Sequence, residues 1–394
     1  MAASGFGCAA KLLGLHSAPH ASGAPTALLI QPLIPQVLQT GEMWLLLGAL
    51  CLAQGLEDAI PGAEMFHNPE SFMNISQKIH FHGYPSEEYE VMTEDGYFLS
   101  LNRIPHGKGG VGRSGARTPV LIVHGFGLDG GDWVDNFPDN SLAFILADAG
   151  YDVWLGNNRG SSWSRRHRSL SVASQQFWDF SFHEMAMYDL PAMVGFILME
   201  TQQEQLFYVG HAQGSSLGFI AFSSLPNLAN KIKLFFALAP VHTFRHARGP
   251  VLKLFFLPDW LLKVQEGFVG CYCRNPGTSD NSCPLHGHCA LLLHLWWAWE
   301  LLASFLTFPR AAAENIWNQG LRPPFYQIEA MTVPVAMWSG GHDWVTPPVE
   351  TQVLLSHLSN VVHYEHFPDW NHFDHHWGMN APQRMYRVKF YSRN

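Results

Sequence analysis

Charge is sparse in this 394-residue chain, at 14% of residues, and it leans acidic, with a net charge of −9. Such a balance is poorly matched to a polyanion, so nucleic-acid binding is set aside. Cysteine is scarcer still, six in all, and none of the six falls in the C-x2-C spacing usual for zinc. No internal repeat or coiled-coil heptad punctuates the chain. Residues 1–42 hold no arginine and a single acid, Glu42, which is unlike an arginine-rich transit peptide. The most consequential absence is one hydroxyl. Tyr208-Val209-Gly210-His211-Ala212-Gln213-Gly214 reads as an apolar strand entering a G-x-S-x-G nucleophile elbow in which Ala212 stands where the serine belongs.

The elbow needs small residues around a tight strand-to-helix turn, so that one side chain rises above the sheet while the helix N-terminus offers backbone N–H groups. Gln205 to Val209 supplies the strand and Ser215 to Ser224 the small and apolar pattern of a helix packed on a sheet. A second formal match centres on Ser216, a full turn inside that helix, and reads as small residues for close packing. Downstream, Val335 to Ser339 is a buried-strand pattern ending in Gly340-Gly341-His342-Asp343, and Asp343 is the candidate orienting carboxylate. Phe367-Pro368-Asp369-Trp370-Asn371-His372 follows another apolar strand, and His372 is the candidate general base. Among 22 histidines, His366, His375 and His376 are its near rivals. Upstream, Pro119 to Val123 runs into His124-Gly125-Phe126-Gly127, an H-G-x-G turn of the kind that completes an oxyanion hole. The expected donors are the backbone N–H groups of Phe126 and Gln213, which the alanine leaves untouched. This chemistry calls for no metal and no cofactor.

From Glu88 onward strand and helix patterns alternate, which predicts an α/β fold with a mostly parallel sheet covered by helices on both faces. With 47% hydrophobic residues the chain can bury a sizeable core. Met43 to Gly55 has the short apolar run and small-residue ending of a signal peptide, too short to span a bilayer, so the mature chain is expected to begin near Leu56. Residues 1–42 then read as an extension upstream of the natural start. Secretory entry makes Asn74-Ile75-Ser76 a glycosylation sequon at Asn74. It also makes disulfides the leading reading of Cys271, Cys273, Cys283 and Cys289, with adjacent Cys271 and Cys273 each joined to Cys283 or Cys289. A zinc site using these thiols with His286 or His288 is the alternative. Ala290 to Phe308 approaches membrane-spanning length, but a span would place His294 and Glu300 in hydrocarbon, the acid costing about 2.5–3.5 kcal/mol.

The stretches GYPSEEYEVMTEDGY, NSLAFILADAGYDVWLGNNRG, FWDFSFHEMAMYDLPA and GFIAFSSLPNLANKIKLFFALAPV between Tyr84 and Val241 resemble the acid lipases, the group that contains gastric and lysosomal acid lipase. The resemblance resumes at Pro323 with PPFYQIEAMTVPVAMWSGGHDW and WNHFDHHWGMNAPQ. It implies an α/β-hydrolase fold with an inserted helical cap: core residues 56–241, a shortened cap over 242–322, and core residues 323–394. It aligns Asp343 and His372 with the family's catalytic acid and histidine, Phe126 and Gln213 with its oxyanion donors, and Ala212 with its serine. It implies lipid esters, triacylglycerols or cholesteryl esters, as substrates at a lipid–water interface, and a secreted or lysosomal location. In that setting residues 290–308 read as a helix under the cap or lining a lipid groove with Trp296, Trp297 and Trp299. Three functions remain open: a lipid-ester hydrolase, a non-catalytic homologue that binds lipid or a protein partner, and a product left without function by a defective cap.

Overall fold

The computed structural model describes residues 69–110, 115–242 and 326–386. The upstream extension, the signal-like run, the four clustered cysteines with His286 and His288, and the apolar segment 290–308 lie outside the described residues.

The first α-helix among the described residues is α1 (Ile75–Phe81), capped by Asn74, whose Oδ1 accepts from the Gln77 N–H at 2.8 Å while Gln77 reaches back to the Asn74 N–H at 2.9 Å. Strands β1 (Glu87–Met92) and β2 (Tyr97–Ile104) form an antiparallel hairpin. Next come β3 (Pro119–Val123), helix α2 (Leu142–Asp148), β4 (Asp152–Gly156) and the short β5 (Arg166–His167). Helix α3 (Leu190–Thr201) precedes β6 (Leu206–His211), helix α4 (Gln213–Ser224) and β7 (Ile232–Leu238). Beyond the undescribed stretch stand β8 (Val335–Gly340), helix α5 (Pro348–His357), β9 (Val361–Phe367) and the single turn α6 (Asp374–Trp377).

The strands assemble in the order β1-β2-β4-β3-β6-β7-β8-β9, with β5 beside β2. Every pairing from β4 to β9 is parallel; the antiparallel pairings all involve β2. Alternation along the strands divides the core between two faces. Leu121 and Val123 of β3, Tyr208 of β6 and Phe235 of β7 pack under α3 and α4, with Met193, Ile197 and Leu217. Val120, Ile122, Val209 and Phe236 point to the other face, toward α1 and α2, with Ile79, Phe144 and Leu146. The predicted mostly parallel sheet with helices on both faces is what forms. The strand expected before His372 differs in kind: β9 alternates half-buried and exposed residues up to Phe367, because it is the edge strand and is covered on one face.

One topological feature locates a site. From β3 the chain moves to β4 on one side and then to β6 on the other, so the winding direction reverses between β3 and β6, which lie side by side with Val123 opposite Gly210. A crevice opens beyond the strand ends at such a reversal, and there α/β folds take their ligands.

Candidate active site

The two turns that flank this crevice are the H-G-x-G turn after β3 and the elbow after β6. The elbow is tighter than its sequence suggested, since β6 runs on to His211 and α4 begins at Gln213. Ala212 alone makes the turn, at φ 49° and ψ −111°, a left-handed position that side chains other than glycine rarely hold. Its N–H donates to the Leu238 carbonyl at 3.0 Å, and its own carbonyl accepts from Ser215 and Ser216 at 3.0 and 3.2 Å. The flanking glycines are required by contact. A Cβ at Gly210 would meet the Gly214 carbonyl carbon and oxygen and the Ser215 nitrogen at 2.6 Å, and one at Gly214 would meet the Val123 oxygen at 2.5 Å. All are backbone atoms, which cannot swing aside. Gly210→Ala should therefore lower stability by about 3 kcal/mol, at the upper end of overpacking costs. The helical Gly195, around which a Cβ meets nothing within 4 Å, serves as the control, and Gly195→Ala should stabilise by up to about 1 kcal/mol. Denaturant midpoints of the two variants check the pair.

Asp343 and His372 come together as a buried couple. His372 Nδ1 donates to Asp343 Oδ2 at 2.8 Å, and both side chains are almost wholly buried. Asp343 lies just beyond β8 and is held by three further donors: the Val345 N–H at 2.9 Å and the Thr346 N–H at 2.7 Å on Oδ1, and the Thr346 hydroxyl at 3.3 Å on Oδ2. Thr346 escaped the sequence reading, although an Asp followed three residues later by Thr is a recognisable local turn. His372 sits on the loop between β9 and α6, and its carbonyl accepts from His211 Nε2 at 3.1 Å and from His375 Nδ1 at 3.2 Å. Through that carbonyl the end of β6 holds the loop in place beside the elbow.

The rival histidines are occupied elsewhere. His366, exposed on β9, bonds to the Ser339 hydroxyl at 2.9 Å. His375 and His376 are buried, and His376 packs its ring against His211, Trp133 and Trp377 with centroids 4.3, 5.6 and 4.6 Å away. Burial, then the neighbouring imidazoles His376 and His372, hold His211 well below the usual histidine range. Burial does the same for His376 and brings His375 down to about 4.

Gly125 lies directly against the elbow, where an added Cβ would stand 3.3 Å from the Ala212 Cβ. Phe126 follows it in the same turn. Gln213 opens α4, too early in the helix for its N–H to have an intrahelical acceptor, so that donor faces the helix N-terminus. Ser216 is committed to backbone, donating to the Val241 carbonyl at 2.6 Å, and the fully buried Ser215 donates to the Gly210 carbonyl at 2.6 Å. Among the described residues no three His, Cys, Asp or Glu side chains are grouped to hold a metal ion, and no helix is long and apolar enough to cross a membrane.

Comparison with known proteins bears on the family and the fold. A family model of a partial α/β-hydrolase lipase region matches residues 75–137, and one of the α/β-hydrolase fold matches residues 118–261. Lipase member M of Homo sapiens is 40% identical over 388 residues, covering 88% of this chain and 91% of that protein. Lysosomal acid lipase/cholesteryl ester hydrolase of Homo sapiens is 42% identical over 364 residues, covering 81% and 90%. Gastric triacylglycerol lipase of Homo sapiens is 41% identical over 386 residues, covering 87% and 97%. Since 87% of 394 residues is less than 386, this chain is roughly 40 residues shorter within that match. A solved bacterial membrane phospholipase A shares the fold, with a TM-score of 0.50 at 14% identity over 87% of this chain and 96% of that one.

Proposed function

Because the chain belongs to the acid lipase family of α/β-hydrolases, we propose that it carries the frame for cleaving lipid carboxylic esters without the nucleophile, and that it binds the lipid acyl group its relatives would cleave. The observation that carries this reading is Ala212, which takes the left-handed elbow position at the start of α4. In a serine hydrolase of this design the imidazole removes a hydroxyl proton as the oxygen attacks the acyl carbon, and the aspartate stabilises the imidazolium that forms. The Asp343–His372 couple has the contacts for that role, but a methyl group offers no oxygen to form the acyl-enzyme. Neither Ser215 nor Ser216 substitutes, each hydroxyl being committed to a backbone carbonyl, that of Gly210 for Ser215 and that of Val241 for Ser216. The shorter match to gastric lipase supports a reduced cap over 242–322, the segment in which the family resemblance fades.

The test is direct. Treated with a fluorophosphonate, the natural chain should gain no adduct by intact mass, while lipid should co-purify with a cooperatively melting protein. An adduct on any residue overturns the reading.

The same reading places the chain in the secretory pathway, secreted or lysosomal, with cleavage near Gly55 and a glycan on Asn74. The geometry at Asn74 suits this. The side chain is half-buried and caps α1 through Oδ1, whereas a glycan is joined to the other amide atom, Nδ2. Mass spectrometry of conditioned medium should find a mature terminus near Leu56 and a glycosylated Asn74. An unmodified chain retaining residues 1–42 would count against it.

A further inference from the structure

We propose that the altered elbow is a carboxylate site, and that its ligand is a free fatty acid bound as the anion rather than an ester. The inference rests on the reading of Ala212 given above and goes one step further, to the chemical class that the remaining groups favour. A carboxylate presents two oxygens, each wanting a donor. The first donor is the Gln213 N–H at the N-terminus of the twelve-residue α4, where the positive end of the helix favours an anion. The N–H groups of Ser215 and Ser216 are already turned back onto the Ala212 carbonyl.

The second donor is His372. Its Nδ1 is committed to Asp343 at 2.8 Å, so a proton gained by the ring goes to Nε2, across the ring from that contact. Asp343 then supplies the countercharge, itself held by the Val345 and Thr346 N–H groups and the Thr346 hydroxyl. In a serine enzyme the nucleophile's oxygen would stand between the imidazole and the ligand. With alanine at 212 that position falls to the second carboxylate oxygen, and a charge-assisted hydrogen bond replaces the Ser–His contact. An ester brings a single carbonyl oxygen and no charge for the imidazolium to pair with.

With Nε2 deprotonated, its lone pair would face the carboxylate and repel it, so the anion pairs with the ring in its protonated form. The titratable groups facing His372 are Asp343 from the β8–α5 loop, His211 from β6, and His375 and His376 from α6. The last three are buried imidazoles kept neutral by their surroundings, so Asp343 and the incoming anion are the charges that answer the imidazolium.

Calorimetric titration of the full purified chain with decanoate, and with decan-1-ol as a neutral analogue of equal length, tests this. Decanoate should bind at least about tenfold more tightly than decanol, the worth of one charge-assisted bond. Ala212→Ser should weaken decanoate binding by roughly tenfold, the worth of one charge-assisted bond, and in the same preparation should gain a fluorophosphonate adduct. His372→Gln should remove the preference for decanoate over decanol in a protein that still melts cooperatively. Decanoate and decanol binding alike would overturn the inference. So would an Ala212→Ser variant that labels yet binds decanoate as tightly as the natural chain, a result that leaves the missing-nucleophile reading standing. A natural chain that labels with fluorophosphonate brings down that reading instead.

Discussion

Ala212→Ser should convert an almost inert protein into one that labels stoichiometrically with a fluorophosphonate and hydrolyses a short-chain p-nitrophenyl ester. Loss of a triad serine elsewhere costs about a millionfold in turnover, and an oxyanion hole with a binding site alone leaves roughly 10³ to 10⁴ over water. A gain of at least about 10³-fold in kcat/KM is therefore expected, with a presteady-state burst that the natural chain lacks. The backbone reason is specific. A left-handed non-glycine residue costs on the order of 1–3 kcal/mol, yet alanine holds φ 49° here, so the surroundings impose the turn and a serine would inherit it. Its extra oxygen would leave the elbow's donors and the Asp343–His372 couple unchanged. Adding His372→Ala to the serine variant should abolish the gain. An Ala212→Ser protein that melts like its parent and stays unlabelled would mean that the proposed reduced cap, or the placement of His372, disables the site as well.

The elbow was legible because its constraints are local and steric. Gly210 and Gly214 flank the turn at positions where no Cβ fits, and the four-residue spacing between them can be seen without knowing the sheet. The parallel core was legible for a similar reason, since uninterrupted runs such as Val120-Leu121-Ile122-Val123 have to be buried on both faces. The first sheet edge was not. β1 alternates its burial and turns back through Gly96 into β2, a hairpin that a general expectation of alternating strands and helices passes over. His372 could not be told from His366, His375 and His376 by spacing, because the choice depends on which imidazole meets a carboxylate 29 residues away. Why two further imidazoles should be buried beside it was not visible at all. Their surroundings come from β6, the loop before α2 and α6, segments far apart in the chain.

Those imidazoles should make the fold sensitive to acid. His124, His211, His375 and His376 are fully buried, and burial is the leading cause that lowers each of them below the ordinary value near 6.5. Each stays neutral in the folded chain yet takes up a proton in the unfolded one once the pH falls below about 6.5. The unfolded state then binds more protons, so stability falls as pH falls. Buried carboxyls oppose this. Burial, with Asp129 and Asp135 nearby, raises Asp132 to about 8, and burial raises Asp189 to about 6 despite its ion pair with Arg159. Burial also raises Asp135 and Asp152. Each such carboxyl keeps its proton more readily folded than unfolded and so offsets an imidazole, which makes a single-residue change the clean way to read the imidazole contribution. His376 is the residue to change. Neither of its ring nitrogens has a partner among the described residues, and a buried unsatisfied polar atom costs about 1–3 kcal/mol. His376→Leu should raise the melting temperature at pH 7.5, and its advantage over the natural chain should grow as pH falls below about 6.5, since one fewer proton is taken up on unfolding. A stability advantage of His376→Leu that does not grow on acidification would show that His376 accepts its proton inside the folded protein.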